Sequence, residues 1–184
     1  MQTHFDSILH ELRRTLAHIS DDRAESLLQA IIGAQRIFVA GAGRSGLAMK
    51  GFAMRLMHMG FDAYVVGEIV TPGITKEDML LIGSGSGATA SLVVNAQKAS
   101  AIGAAVGLIT IQEDSPIGKI ADVVLTIPAP TPKIEQDLGF SSVQPLGSLF
   151  EQSLMLTLDA LVVVLMGKSG KEAEAMFARH ANLE

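Results

Sequence analysis

The sequence predicts an α/β protein, a three-layer αβα sandwich around a five-stranded parallel sheet with the strand order 2-1-3-4-5. Short apolar runs alternate with segments of helical periodicity, which is typical of a parallel sheet covered by helices on both faces. Two of these runs break into glycine and serine before a helix begins, at residues 41–46 and 83–89. The composition agrees, since 48% of the 184 residues are hydrophobic and only 18% are charged.

Two helices precede the first strand. Residues 4–18 place Phe5, Ile8 and Leu12 at helical spacing with charged residues between them, and a second helix runs to Gly33 after a cap at Ser20 or Asp21. The histidines of the first helix are expected to be exposed; they are His4, His10 and His18.

The predicted strands are residues 36–40, 62–66, 79–84, 105–111 and 122–127. Helices are expected at residues 45–59 and 88–102, and a short helix should begin at Ser115-Pro-Ile117, with proline at its first position. Prolines at 128, 130 and 132 open an irregular segment up to residue 143. A long helix over residues 147–166 is apolar on nearly all sides, which predicts burial all round, and a last helix covers residues 171–180.

We interpret residues 1–184 as one domain. Its parts are the N-terminal helices (4–33), a sheet core (36–127), an active-site loop (128–143), and the C-terminal helices and tail (144–184).

Composition excludes several classes of function. A net charge of −5 argues against general nucleic-acid binding, which needs clustered Lys and Arg. The absence of cysteine removes disulfides and thiolate metal sites and favours a cytoplasmic protein. The most apolar segment, residues 154–166, is short and contains Asp159, so no membrane span is expected. The positive mean hydropathy of +0.37 suggests instead that area is buried between subunits.

The two glycine turns predict one anion site. A strand that turns sharply into a helix leaves N–H groups at the positive end of the helix dipole. Strands one and three are neighbours at the switch point of a 2-1-3-4-5 sheet, where ligands bind. The first turn offers Gly43, Arg44 and Ser45, and the second offers several hydroxyls and a glycine: Ser84, Gly85, Ser86 and Thr89. Such a ring of hydroxyls suits a terminal phosphate monoester.

A dinucleotide site is the main alternative. Residues 41–46 match G-x-G-x-x-G, and Glu68 stands about where a ribose-binding acid would. That motif holds a pyrophosphate by backbone groups alone, however, and leaves Ser45 and the second loop without a role. A P-loop is not expected, because neither glycine turn continues into G-K-[ST].

At these residues the chain resembles the sugar isomerase (SIS) domain family, which has a Rossmann-like fold. Ser84-Gly-Ser-Gly-Ala-Thr89 is similar to that family's S-x-S-G-E-T, with Ala88 where glutamate is usual. Within the family, the resemblance narrows to the 6-phospho-3-hexuloisomerases over nearly the whole chain. Three segments carry it: Phe52-Ala-Met-Arg-Leu-Met-His-Met-Gly60, Gln144-Pro-Leu-Gly-Ser-Leu-Phe-Glu151 and Arg179-His-Ala-Asn-Leu-Glu184.

The resemblance implies conversion of 3-hexulose 6-phosphate to fructose 6-phosphate through an enediol. Such proton transfer beside a carbonyl needs no metal and no redox cofactor. It also implies a homo-oligomer, by analogy a tetramer, in the ribulose monophosphate pathway of formaldehyde fixation, where a hexulose-phosphate synthase would supply the substrate.

The resemblance also assigns roles to residues. Glu151 matches the family's base, and its apolar helix would strengthen that base. His58 is a candidate acid, although a histidine at a helix C-terminus is as often a dipole partner. His180 is either a surface residue or a group that serves a neighbouring subunit, and Arg44, or alternatively Arg55, could hold the phosphate or the enediolate. A non-catalytic phosphosugar sensor remains the other hypothesis, because a sensor needs the serines but no base.

Overall fold

The structure, a computed structural model, describes residues 1–132, 139–170 and 173–183. Five parallel strands form one sheet in the order β2-β1-β3-β4-β5, which confirms the predicted topology. The strands are β1 (Ile37–Gly41), β2 (Ala63–Val65), β3 (Met79–Gly83), β4 (Ala105–Thr110) and β5 (Val123–Thr126). The pairing of Gly41 with Gly83 brings the ends of β1 and β3 side by side.

Six helices accompany the sheet in the described part of the chain. They are α1 (Gln2–Leu16), α2 (Asp21–Gly33), α3 (Gly43–His58), α4 (Ala90–Ile102), α5 (Ser148–Ser169) and α6 (Ala173–Phe177). The cap of α2 is Ser20, whose side-chain oxygen accepts a hydrogen bond from the Arg23 amide. The exposed histidines of the first helical segment are confirmed as exposed.

The two faces of the sheet are covered unequally. Side chains alternate along each strand, so Ile37 and Val39 join a large core with α2, α3 and α5, whereas Phe38 and Ala40 join a smaller core with α4. The three layers are therefore present, but the α4 face has the thinner cover. The site lies at the carboxyl ends of the central strands, between the two helical layers.

The predicted helix at Ser115 is wrong. Residues 116–120 form a turn in which the Ser115 Oγ accepts from the Gly118 amide, and the Ile117 amide donates to the Gly87 carbonyl. The Asp122 amide donates a hydrogen bond to the carbonyl oxygen of Val106, in β4. Too few residues separate these two attachments for a helix to form. The last helix is shorter than predicted, and residues 171 and 172 lie outside the described part.

Helix α5 differs from the prediction in length and in burial. It is 22 residues long, so by length and composition it could cross a membrane, and the argument from a short apolar segment does not hold. Half of its most apolar 18-residue stretch is buried inside the chain, and core helices pass the same test of length and composition. The other half is not buried: Val163 is 68% exposed. The prediction that this helix is buried all round is therefore wrong for a single chain.

Candidate active site

A cleft of about 330 Å³ lies beyond the carboxyl ends of β1 and β3, at the switch point of the sheet. Eight of the ten predicted site residues line it. They are Gly43, Arg44, Ser45, Ser84, Gly85, Ser86, Thr89 and Glu151. Other residues of the wall had no predicted role, among them Thr131, Leu146, Gly147 and Phe150. The available signal was their position, since Thr131 lies in the irregular segment 128–143 and the other three lie in residues 144–151, which lead into α5.

The turn from β1 into α3 depends on two glycines in contact. A Cβ on Gly46 would lie 2.7 Å from the Gly41 carbonyl oxygen, and a Cβ on Gly41 would lie 2.9 Å from the Gly46 amide nitrogen. This close approach of strand and helix is what the last glycine of G-x-G-x-x-G provides. Gly43 has a φ of 57°, the left-handed conformation that the turn from β1 into α3 requires. Ser45 is thereby held at the cleft, 9% exposed.

The loop from β3 into α4 is held from behind by the neighbouring strand. The Ser84 Oγ accepts from the Gly87 amide, and the Ser86 Oγ accepts from the Ala88 amide. Below them the Thr110 hydroxyl, at the end of β4, donates to the Gly85 carbonyl oxygen at 3.0 Å. Sequence reasoning missed Thr110, although strand order alone put the end of β4 beside this loop.

Three helix N-termini meet at the cleft. Helix α3 begins at Gly43, α4 has Thr89 as its N-cap and α5 has Gly147, and all three residues line the cavity. None of the three N-cap side chains makes a capping hydrogen bond. First-turn N–H groups and the positive dipole ends of three helices therefore border one space, which is a strong arrangement for a phosphate group.

A charged pair lines the same cleft. The Arg44 Nη1 lies 3.2 Å from the Glu151 Oε2 and donates to the Ser148 hydroxyl at 3.0 Å. Glu151 sits in the first turn of α5 with its side chain 22% exposed. Its surroundings are thus less apolar than the sequence predicted, because a guanidinium and a hydroxyl adjoin it. The arrangement offers a carboxylate for proton transfer and a cation for developing negative charge.

Two features bear on the alternatives. Glu68 is bonded to the Lys50 ammonium at 2.6 Å and does not line the cleft, so the acid of the dinucleotide reading is engaged elsewhere. Ala88 is exposed and also does not line the cleft. A glutamate at residue 88 is therefore not needed to complete the cavity wall.

The two predicted catalytic histidines lie together, away from this chain's own cleft. His58 ends α3, 13 residues after Ser45, and at 1.5 Å per residue the helix separates them by about 20 Å. The His58 ring is 3% exposed and stacks on the His180 ring with centroids 5.4 Å apart. Burial lowers the pKa of His58, and the nearby Arg55 and His180 lower it further. The tail is seated where the Arg179 guanidinium lies against Gly60.

These features define a class of protein, a parallel α/β domain whose sheet-end cleft suits a phosphate ester and presents a carboxylate to it. The SIS domain profile matches residues 30–158, and the chain belongs to the SIS domain family. The chain is 49% identical to a 3-hexulose-6-phosphate isomerase of Bacillus subtilis, over 96% of this chain and 95% of the relative. A 3-hexulose-6-phosphate isomerase of Mycobacterium gastri is 41% identical over 95% and 86%, respectively. Within the SIS family, the chain belongs with these isomerases.

A solved structure agrees in fold and extent. A protein of Methanococcus jannaschii, whose crystal structure infers a molecular function of 3-hexulose-6-phosphate isomerase, superimposes with a TM-score of 0.85. It is 30% identical, and the match covers 99% of each chain. The similarity thus extends beyond the SIS profile to the N-terminal helices and the C-terminal tail.

Proposed function

We propose that this isomerase interconverts 3-hexulose 6-phosphate and fructose 6-phosphate, with Glu151 as the base that moves a proton between C2 and C3. The observation that carries the proposal is the arrangement of the cleft. The hydroxyls of the two serine loops line the cleft, and the Glu151 carboxylate, paired with Arg44 of the first glycine turn, lines the same cleft. The hydroxyls and amides can hold the substrate's inert end while the carboxylate acts on its reacting end.

The cradle anchors the phosphate on C6. Its donors are the hydroxyls and the amides of two loops and three helix starts, and the volume of about 330 Å³ is at the lower end of small-molecule sites. Binding energy from this remote anchor orients C2 and C3 several bonds away.

The chemistry conserves every proton. Glu151 removes the proton from C2 while the C3 carbonyl oxygen gains negative charge, which is stabilised by the Arg44 guanidinium, 3.2 Å from the Glu151 carboxylate. Return of the proton to C3 and loss of the hydroxyl proton from O2 leave the carbonyl at C2. The hydroxyl proton must be carried from O2 to O3, and an acid–base group beside those oxygens accelerates this transfer.

The His58–His180 pair is our candidate for that group, supplied by a neighbouring subunit. The pair lies about 20 Å from the same chain's cradle by helix length, so it can serve only the cleft of another copy. The lowered pKa of His58 keeps that buried ring neutral near pH 7. The exposed His180 ring, stacked on it, is the member of the pair that can contact another copy.

An apolar surface supports assembly into an oligomer, by analogy a tetramer. Helices α3 and α5 pack together, and both present large exposed apolar side chains. These are Leu47, Met54 and Met57 on α3, and Met155, Leu156, Val163 and Val164 on α5. Their burial between copies is a favourable contribution that a single chain does not obtain.

The experiment is a turnover assay with 3-hexulose 6-phosphate in D2O, comparing the wild type with Glu151→Gln. We expect Glu151→Gln to lower kcat at least 100-fold and to suppress deuterium incorporation at C3 of the fructose 6-phosphate formed, because general bases contribute about 10²–10⁴-fold. Inhibition by inorganic phosphate should remain, since the cradle is intact.

Glu25→Gln is the matched control, because Glu25 is bonded to Lys168 on the surface and does not line the cleft. Unchanged turnover in Glu151→Gln would remove Glu151 as the base. Binding of the hexulose phosphate without any turnover by the wild type would support the sensor hypothesis instead.

A further inference from the structure

A buried carboxylate on the first helix bonds to the segment that leads into the active site. Glu11 of α1 is only 6% exposed. Its oxygens accept from the Val143 amide at 2.7 Å, the Ser142 hydroxyl at 2.7 Å and the Gln144 side-chain amide at 3.1 Å. A buried carboxylate is costly unless such donors surround it. Three donors from consecutive residues, more than 130 positions away in sequence, are therefore a specific attachment.

A second attachment lies one turn further along α1. The Arg14 guanidinium lies over the Phe140 ring at 4.1 Å and donates to the Gly139 carbonyl oxygen at 3.4 Å. Glu11 and Arg14 thus hold the two ends of residues 139–144 against α1. Two oppositely charged side chains of α1 therefore contact the same segment, and of the two contacts the one made by Glu11 is buried.

The held segment runs directly into the cleft wall. Leu146 has φ of 56°, the positive value that a bulky residue adopts only under constraint. Gly147 then caps α5, and the Glu151 amide donates to the Gly147 carbonyl oxygen in the first turn. Only two residues separate Gln144, bonded to Glu11, from Gly147. The bonds to Glu11 restrict the chain just before the strained residue, which supplies the constraint that it needs.

We propose that Glu11 is a positioning residue of this active site: it fixes residues 142–144 and thereby the Leu146–Gly147 wall and the start of α5 that carries Glu151. The residue lies outside the matched SIS region, 30–158. Helix α1 is then part of the catalytic apparatus, because the approach of the base to the substrate depends on its carboxylate. This inference rests on the proposed role of Glu151.

The charge matters as well as the length of the side chain. Burial alone would raise the pKa of Glu11, but the bonds from Val143, Ser142 and Gln144 outweigh it and the pKa is lowered. A carboxylate accepts from all three donors at once. A glutamine at residue 11 has one acceptor oxygen, and its NH2 group would face a donor in either orientation, the Val143 amide in one and the Gln144 NH2 group in the other.

The test compares the wild type with Glu11→Ala and Glu11→Gln in the same assay. We expect kcat to fall about 10- to 100-fold in Glu11→Ala, since a displacement of about 1 Å at a catalytic group costs up to 10²-fold. Glu11→Gln should fall between the two. The inhibition constant of inorganic phosphate should rise by a smaller factor than kcat falls, because Glu11 touches neither serine loop and displaces only one of the three helix starts at the cleft.

Amide hydrogen exchange gives a readout that needs no substrate. In Glu11→Ala, exchange over residues 139–151 should quicken about ten-fold, the effect of losing a hydrogen bond to a charged acceptor. Leu27→Ala is the matched control: Leu27 is fully buried on α2 and lies near Gly107 of β4, so its truncation destabilises the core without touching this segment.

The outcomes separate the hypotheses. Slower turnover and faster exchange in Glu11→Ala, with neither change in Leu27→Ala at a similar loss of Tm, support the inference. Wild-type kcat and exchange in Glu11→Ala overturn it, and so does an equal fall of kcat in Leu27→Ala. If the wild type itself does not turn over the hexulose phosphate, the proposed function fails, and the exchange over residues 139–151 alone decides whether Glu11 holds the α5 start.

Discussion

Gly46→Ala tests the contact between β1 and α3 on which the phosphate cradle depends. The new Cβ would lie 2.7 Å from the Gly41 carbonyl oxygen, whereas ordinary contact begins at 3.4 Å, so strand and helix must separate by about 0.7 Å. The atoms that the new Cβ would meet are the backbone oxygen and carbon of Gly41, so no side-chain rotation can relieve the clash. Overpacking of this kind costs about 1–3 kcal/mol.

The same substitution five residues later should have the opposite sign. A Cβ on Gly51, also in α3, would meet only the Met155 Cε at 3.8 Å, an ordinary contact. Alanine is preferred over glycine within helices by about 1 kcal/mol, so Gly51→Ala should be neutral or stabilising. Gly46→Ala has the same intrinsic gain and still should lose about 1 kcal/mol net, because the clash exceeds it.

The assay is urea unfolding of the wild type and both variants at one protomer concentration, since assembly makes stability concentration-dependent. The inhibition constant of inorganic phosphate is measured alongside. A shift of several tenths of an ångström beside Ser45 weakens hydrogen bonds to a bound phosphate, so this constant should rise several-fold in Gly46→Ala only. A Gly46→Ala protein with wild-type stability and wild-type phosphate binding would refute the reasoning.

Three further predictions follow from the structure. Asp78→Asn should lower the free energy of unfolding by about 2 kcal/mol at pH 7, because the buried carboxylate accepts from the Arg36 guanidinium at 2.7 and 3.0 Å; an unchanged urea midpoint would contradict this. The pKa of His58 is lowered in the folded chain, so the unfolded chain binds the proton more tightly, and stability falls as pH drops below the ordinary value of 6.5. His58→Asn should flatten Tm between pH 7 and 5, and an unaltered slope would show that other groups titrate there. Val163→Glu should shift the oligomer toward smaller species in light scattering, because this exposed side chain belongs to the apolar surface of α5; an unchanged mass would exclude its part in the interface.

The sequence was sufficient for the sheet and for the cradle because both follow from local patterns. Strand order and the two serine loops rest on apolar runs and turn residues that lie close together in the chain, whereas the choice of Glu151 rests on the resemblance of residues 144–151 to the family. The turn after Ser115 resembles a helix start in sequence, because proline is common at the first position of a helix. The bond from the Ile117 amide to the Gly87 carbonyl oxygen, a contact with a distant segment, distinguishes the turn from a helix.

Contacts between distant segments were beyond the reach of these patterns. Glu11 looked like one more charge on an amphipathic helix, since nothing near it in sequence announces Val143 as its partner. The Arg44–Glu151 pair likewise depends on how α5 crosses α3. The separation of His58 from Ser45 was accessible, however, because a helix of known length fixes it.

The donors of the cradle have a consequence for how pH acts on this protein. Serine and threonine hydroxyls and backbone amides keep one protonation state across the physiological range. Ionisation of the phosphate ester itself, with a second pKa of about 6, therefore governs how substrate affinity varies with acidity. In kinetic terms, the rise of KM at low pH reflects protonation of the substrate's phosphate. The pH dependence of kcat then reflects the groups that move protons.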